Sequence, residues 1–342
     1  MILGIIIALL ILLLMITIHE FGHYIAGKAL GFKINEFAIG FGPKIFSRTN
    51  KKSGEIFSVR ALPLGGYCAF EEEMEEGTGE GSFNSKPPWK RLIVVLAGVA
   101  FNFMFGIILA MAFLPFMGES QLQTLDFAEN SSASQVMQSG DIILKVDGKS
   151  LYLIDSATSD LTKYMGRADE DVVLTIDRGG EIMDVTLTRG EDGYFGLKAQ
   201  EGYMKVVNYK FSYGEGLLRS LVYCFKTAGI IIVLLFKLLT FQLGLDSGVA
   251  GTVGTISIMS KLVMLGFDVI IRMIVLISLN LAVFNLFPIP ALDGGRAVLI
   301  ALEWIFKKPV ISRKAEATIN FVTMMILFAL VIFFDIYFFA FG

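Results

Sequence analysis

His19-Glu20-Phe21-Gly22-His23 closes the uncharged apolar run Met1–Ile18. That run is about 18 residues long, and at about 1.5 Å per helical residue it reaches roughly 27 Å, close to a bilayer's hydrocarbon thickness. On a helix His19 and His23 stand at i and i+4, so both imidazoles leave one face, one turn apart. A divalent metal needs that spacing to take two nitrogen ligands from a single helix. Glu20 lies next to the pair but off its face, where it can accept a proton from a water at the metal. The chain has only 2 histidines, and both are here. A five-residue motif also arises by chance in soluble helices. Here, however, three ionisable side chains crowd into one turn at membrane depth, where such groups are costly and mark functional sites.

The rest of the composition fits a membrane setting. The chain has 342 residues, 54% of them hydrophobic, with 30 Phe and a mean hydropathy of +0.66. Soluble domains run at about 45–50% apolar, so a polytopic membrane protein is expected. A net charge of -3 with no basic block argues against a nucleic-acid partner. Cys68 and Cys224 have no Cys or His neighbours at metal-ligand spacing and read as small apolar residues. The N-terminus has no basic lead and no small-residue cleavage site, so the first span is expected to be retained.

Outward from the motif, Lys28 to Arg91 is polar and Gly-rich, with ten Lys and Arg near the ends of the flanking spans. That excess marks the cytoplasmic side. Within it, Gly54 to Tyr67 reads as short extended pieces ended by Pro63 and the pair Gly65-Gly66. Such backbone sits at membrane depth only if buried in protein or lining a wet cavity. The acidic run Glu71-Glu72-Glu73 with Glu75-Glu76 reads as a solvated loop. Leu92 to Met117 is a second span. Its one strongly polar side chain, Asn102, should face the protein interior, as structural glue or beside the site.

Gly118 to about Tyr209 turns soluble and acidic. Asp141 to Gly148 reads as a strand ending in a turn, and a hairpin is expected at Asp177-Arg178-Gly179-Gly180. Ser132-Ala133, Gly140-Asp141-Ile142-Ile143 and Val146-Asp147-Gly148 resemble a bacterial PDZ domain, a module that binds extended peptides by strand addition. The usual Pro after the first Ser is absent, and Gln138-Ser139 stands where a Leu-x pair is common. Leu217 to Phe241 carries Arg219, Lys226 and Lys237 and is followed by Gly244, Gly248, Gly251 and Gly254. Val269 to Phe287 is a third span. Phe321 to Phe341, broken by Asp335, is a last one, and Lys307, Lys308, Arg313 and Lys314 between them make a cytoplasmic loop. A full crossing by Leu217–Phe241 would put that loop outside, so this segment reads as interfacial or re-entrant. Four full spans result, with both termini and the PDZ-like domain outside.

A catalytic zinc site usually has three protein ligands and one open position. With no third histidine, the remaining ligand must be a carboxylate. The candidate is Asp293, in Asn285-Leu286-Phe287-Pro288-Ile289-Pro290-Ala291-Leu292-Asp293-Gly294-Gly295. The two prolines break the helix, and Gly294-Gly295 lets backbone approach closely. This topology puts Asp293 in the same leaflet as the histidine pair.

Taken together, His-Glu-x-x-His in the first span, Asn-x-x-Pro-x-Pro-x-Leu-Asp-Gly-Gly in a later one, and an inserted PDZ resemble the site-2 protease family of intramembrane zinc metalloproteases. The likeness covers nearly the whole chain and is closest to the bacterial single-PDZ type that performs regulated intramembrane proteolysis. It implies one Zn2+ on His19, His23 and Asp293, Glu20 as catalytic base, and Asn285 as a substrate or transition-state contact. Phe57 to Tyr67, with Phe57, Gly65 and Gly66, resembles the membrane-embedded β-loop that holds substrate extended. Gly251-Thr252-Val253-Gly254 stands where Gly-Pro-Val-Gly is usual, and Ala97-Gly98-Val99 where Ala-Gly-Pro is. Neither departure falls on a catalytic position.

The expected fold is a polytopic α-helical membrane protein with four spans, a membrane-associated β-loop, an interfacial helix and an inserted α+β PDZ-like domain. Its parts are 1–117, 118–209 and 210–342. Expected partners are the bilayer, a single-span transmembrane substrate, and a peptide or substrate ectodomain at the PDZ-like domain. The bacterial cytoplasmic membrane would hold it, with the active site near the cytoplasmic side. The implied substrate is an anti-sigma factor already trimmed by another protease, or remnant signal peptides. A metal transporter and a non-catalytic scaffold are the rivals from other classes; the first gives Glu20 and a peptide-binding domain no job, and an intact ligand set argues against the second.

Overall fold

A computed structural model describes residues 2–71, 81–153, 161, 164–165, 171–190, 194–197, 202–240, 242 and 251–341. Most of the acidic run after Glu71, together with Gly244 and Gly248, lies outside them. The chain forms two compact units: Met1–Ala110 with Lys226–Gly342, and the insertion Met111–Phe225.

The first unit is built on α1 (Ile2–Ala29). Its buried residues, Gly4, Ala8, Ile11, Met15, His19, Gly22, His23 and Gly27, recur every three or four positions and form one stripe. The remaining faces carry exposed Ile2, Leu3, Ile6, Leu10 and Leu14, as a helix in lipid requires. Small residues on the stripe let neighbours close in. A Cβ at Gly22 would stand 2.5 Å from the Ala97 carbonyl oxygen, on α2 (Pro88–Met117).

After α1 come two long strands, β1 (Ile34–Thr49) and β2 (Ile56–Phe70). Each bends and is used twice. Residues 36–39 pair with 66–69 on one side and with 56–59 on the other, and 44–49 close on 56–60. Segment 56–60 is therefore flanked on both sides, while the segment ending at Phe70 keeps an open edge among the described residues. Phe41, Ile45, Phe46 and Leu62 are exposed at one end of this sheet, Ile45 by 73%. Apolar side chains left bare there suit lipid and not water.

The unit is completed by α5 (Thr252–Leu262), α6 (Phe267–Leu286), α7 (Asp293–Phe306) and α8 (Arg313–Phe341). An ion network fixes α7. Arg91, 2% exposed, forks onto Glu303, which also accepts from Arg313 at 3.1 Å, and Arg313 reaches Glu316 at 2.9 Å. Removing one partner of a buried pair strands the other charge, at about 3–5 kcal/mol. Glu303→Ala should therefore lower the unfolding midpoint in detergent markedly. An unchanged midpoint would mean that Arg91 is solvated without it.

The second unit holds a sheet of order β7-β6-β4-β3-β8, with β5 on β4. The strands are β3 (Glu119–Thr124), β4 (Ile142–Val146), β5 (Lys149–Ser150), β6 (Val172–Arg178), β7 (Glu181–Leu187) and β8 (Met204–Tyr209), with the short helix α3 (Ser132–Val136) between β3 and β4. The hairpin expected at Gly179-Gly180 is present, with Arg178 opposite Glu181 and both glycines at positive φ. Leu122, Ile143, Val146, Leu174, Ile176 and Leu187 fill the core. Burial pushes the Tyr209 phenol up, and with its hydrogen bond to Asp177 the pKa reaches about 12.

From this unit the chain enters α4 (Tyr213–Leu239), whose Arg219 is clamped near its start. The Arg219 guanidinium pairs with Glu119 at 2.8 Å, donates to the Leu151 carbonyl at 2.6 Å, and lies against the Tyr152 and Phe211 rings. The stretch expected to be interfacial is thus one continuous helix, among five in the described residues long and apolar enough to cross a membrane.

Candidate active site

Three distant positions in the sequence meet at one point. His19 Nε2 lies 2.9 Å from Asp293 Oδ2, His23 Nε2 lies 3.3 Å from the same oxygen, and the two Nε2 atoms are 3.2 Å apart. The helix period of α1 places the imidazoles. Asp293 is delivered by the broken segment after α6. Gly294 starts α7 so close to the Leu286 and Phe287 carbonyls that a Cβ would overlap both. Ala291 there takes the left-handed region at φ +74°, and Asn320 on α8 accepts its N–H at 3.1 Å. A left-handed alanine costs about 1–2 kcal/mol, so the loop is held there by its neighbours.

The donors fit a divalent metal on their own chemistry. A carbonyl can only accept, so the His23 Nδ1–H donates to Val94 O at 2.8 Å and leaves Nε2 as a lone pair. Asp293 Oδ2 is buried and has no hydrogen-bond partner. Lone pairs facing one another in a buried place repel unless a cation sits among them. Four-coordinate zinc with bonds of about 2.0–2.2 Å sets its ligand atoms roughly 3.3–3.5 Å apart, and the distances here are near that. Among the described residues, these three are the metal-capable cluster.

Space around the ligands is set by Gly98 on α2. A Cβ there would lie 2.9 Å from His19 Cε1 and closer still to His23. The Ala97-Gly98-Val99 stretch therefore touches the ligands themselves, although its departure, Val99, does not fall on one. Glu20 is restrained by the sheet. Its Oε2 accepts the Cys68 N–H at 3.0 Å, and a Cβ at Gly66 would stand 3.6 Å from Glu20 Cγ.

The expected substrate contacts separate. Gly65 and Gly66 adjoin the open edge beside Glu20. Gly65 has φ +142° and leaves its Cβ space to the Phe41 ring; a Cβ at Gly66 would meet the Ala38 carbonyl oxygen at 2.8 Å. Phe57 sits inside the sheet, stacked on Phe37 at 6.1 Å, with segments paired on both sides. Its backbone is spent on those neighbours, so no edge is left there for a further strand. Asn285 donates its amide to the Leu281 carbonyl of its own helix at 3.0 Å. Elsewhere in the sheet, burial would raise the Glu36 carboxyl. Bonds from Ser58, Arg60, Lys44 and Tyr67 outweigh it and bring the pKa down to about 2.

Val94, Gly98 and Cys68 carry no signal in the sequence, since they act through backbone atoms or through the lack of a side chain. Asn102 does carry one, as the lone amide in an apolar run.

Membrane-length helices that bring a His-Glu-x-x-His turn onto a distant aspartate define a membrane metallopeptidase. The sequence profile of Peptidase family M50 matches residues 7–330. The chain belongs to that family, the site-2 proteases. It is 30% identical over 343 residues to a protein named a zinc metalloprotease in Clostridium perfringens, covering 98% of each chain. A counterpart in Fusobacterium nucleatum is 31% identical over 311 residues, 87% of this chain and 88% of that one. The zinc metalloprotease RasP of Shouchella clausii is 26% identical over 408 residues, 93% of this chain and 94% of its own. The chain is a zinc metalloprotease of the membrane, and Zn2+ is its cofactor.

Proposed function

We propose that this protease cuts the transmembrane segment of single-span membrane proteins in regulated intramembrane proteolysis. The substrate is an anti-sigma factor already trimmed by another protease; clearance of remnant signal peptides is the alternative use of the same site. The observation that carries this reading is the meeting of His19, His23 and Asp293 on helices of membrane length.

His19, His23 and Asp293 would hold the Zn2+, which would supply an acidified water and a Lewis acid for the peptide carbonyl. Glu20 accepts the proton and returns it to the departing amine, so that the amide C–N bond breaks and acid and amine leave. Its carboxylate is aimed by the Cys68 N–H. Asn285 would hold the substrate backbone or the oxyanion once its amide leaves Leu281. A helical substrate hides its carbonyls in i to i−4 bonds and must unwind first. The open edge beyond Gly66 offers strand pairing that offsets part of that cost.

Charge and the place of α5 support the sidedness proposed. Arg91, Glu303 and Arg313 mark one end of the unit, the basic end read as cytoplasmic. At the other, a Cβ on Gly4 would meet Ser260 of α5, and Gly4 is about 22 Å along α1 from His19. Asp335 of α8 accepts the Val253 and Gly254 N–H groups at the start of α5, at 3.1 and 2.8 Å. A start of α5 at the outer face supports four crossings, with α4 interfacial or re-entrant and the PDZ-like domain outside.

Elemental analysis should find one zinc per chain, and a purified single-span reporter should be cut within its apolar segment. Cleavage confined to soluble parts would sink the intramembrane reading. The PDZ-like domain is proposed to filter substrates by size. Deleting 118–209 should then expose untrimmed substrates to cleavage; loss of cleavage for trimmed and untrimmed alike would rule filtering out.

A further inference from the structure

His23 and His19 are not held alike. His23 has a backbone carbonyl on its Nδ1, whereas His19 Nδ1 faces the side-chain amide of Asn102. Asn102 is fully buried in α2, and its backbone carbonyl accepts the Ser278 hydroxyl at 2.7 Å, pinning α2 to α6 at that point. Its Nδ2 lies 3.4 Å from His19 Nδ1, and its Oδ1 is buried with no partner.

Those facts conflict once His19 is used as a ligand. A ring that offers the Nε2 lone pair carries its proton on Nδ1 and needs an acceptor there. An amide nitrogen cannot accept. The two ends of an asparagine amide are alike in shape, and half a turn about the last side-chain bond exchanges them. That exchange gives His19 Nδ1–H its acceptor and leaves no buried oxygen unpaired. Both problems have one solution.

We infer that Asn102 is a positioning residue for the metal: its Oδ1 accepts the His19 Nδ1–H and keeps the Nε2 lone pair on the ion. The inference rests on the zinc reading of the site. Asn102 then does for His19 what the Val94 carbonyl does for His23, so α2 orients both imidazoles of α1. A neutral amide does this without adding another charge beside Glu20 and Asp293. The amide pins a tautomer; it does not touch substrate.

The test is zinc affinity by chelator competition on the purified full-length chain, a reading independent of cleavage. Asn102→Leu keeps the size and removes the acceptor. It should weaken zinc by about 10–100-fold, the range for lost partners of ligating histidines. Asn102→Asp keeps an acceptor and removes the donor, and should bind zinc as the native chain does. Ser278→Ala removes the helix pin alone and should leave affinity unchanged. Native affinity in Asn102→Leu would overturn the proposal, and so would tenfold weakening in Asn102→Asp. Should Asn102→Leu fail to fold, Asn102→Ala, which also removes the acceptor, is read in its place with the same two outcomes. Absence of zinc from the native protein would instead remove the metal reading itself.

Discussion

Asp293→Ala is expected to lose zinc and cleavage together. The carboxylate supplies one of three ligand atoms, and it is the only one from the C-terminal part of the chain. Two imidazoles on one helix turn remain, too few for a closed site. Loss of even an outer partner of a ligand costs about 10–100-fold in affinity, so loss of the ligand itself should exceed about 100-fold. Elemental analysis of the purified variant should find zinc well below one per chain, with reporter cleavage at background. Near-stoichiometric zinc in this variant would mean that some other group completes the site.

Glu20→Gln should separate what Asp293→Ala removes together. Glu20 lies off the ligand set, with its carboxylate on the Cys68 N–H. Glutamine keeps an oxygen that can accept that bond, so the turn and the metal should stay. What it lacks is a group to take and return a proton, worth about 10²–10⁴-fold in rate. Cleavage should fall by that factor with zinc still at one per chain. Full activity would remove Glu20 from the mechanism, and zinc loss would make it a ligand in place of a base.

Much of this was legible in the sequence because helix period and strong local signals carried it. The i, i+4 histidines needed only 3.6 residues per turn to be paired. Lack of a third histidine pointed to a carboxylate, and the Pro-x-Pro break with Gly-Gly pointed to Asp293. The Gly179-Gly180 hairpin followed from turn chemistry. Other features depend on long-range packing that has no period. That β1 and β2 each bend and pair twice is set by contacts among four segments, so the sequence did not show that Phe57, expected to meet substrate, lies inside the sheet. Val94 contributes a carbonyl and Gly98 the absence of a methyl, neither of which a residue type announces. The charge of Arg219 likewise says nothing of whether a partner such as Glu119 is waiting for it.

The metal is also a clasp. His23 and Asp293 stand roughly 270 residues apart, and closing so long a loop costs only a few kcal/mol in chain entropy. An ion gripping both ends offsets most of that cost, about 4 kcal/mol when free zinc exceeds its dissociation constant a thousandfold. Starving a cell of zinc would therefore shorten the lifetime of this chain as well as idle it, and chelated protein should be degraded sooner than loaded protein.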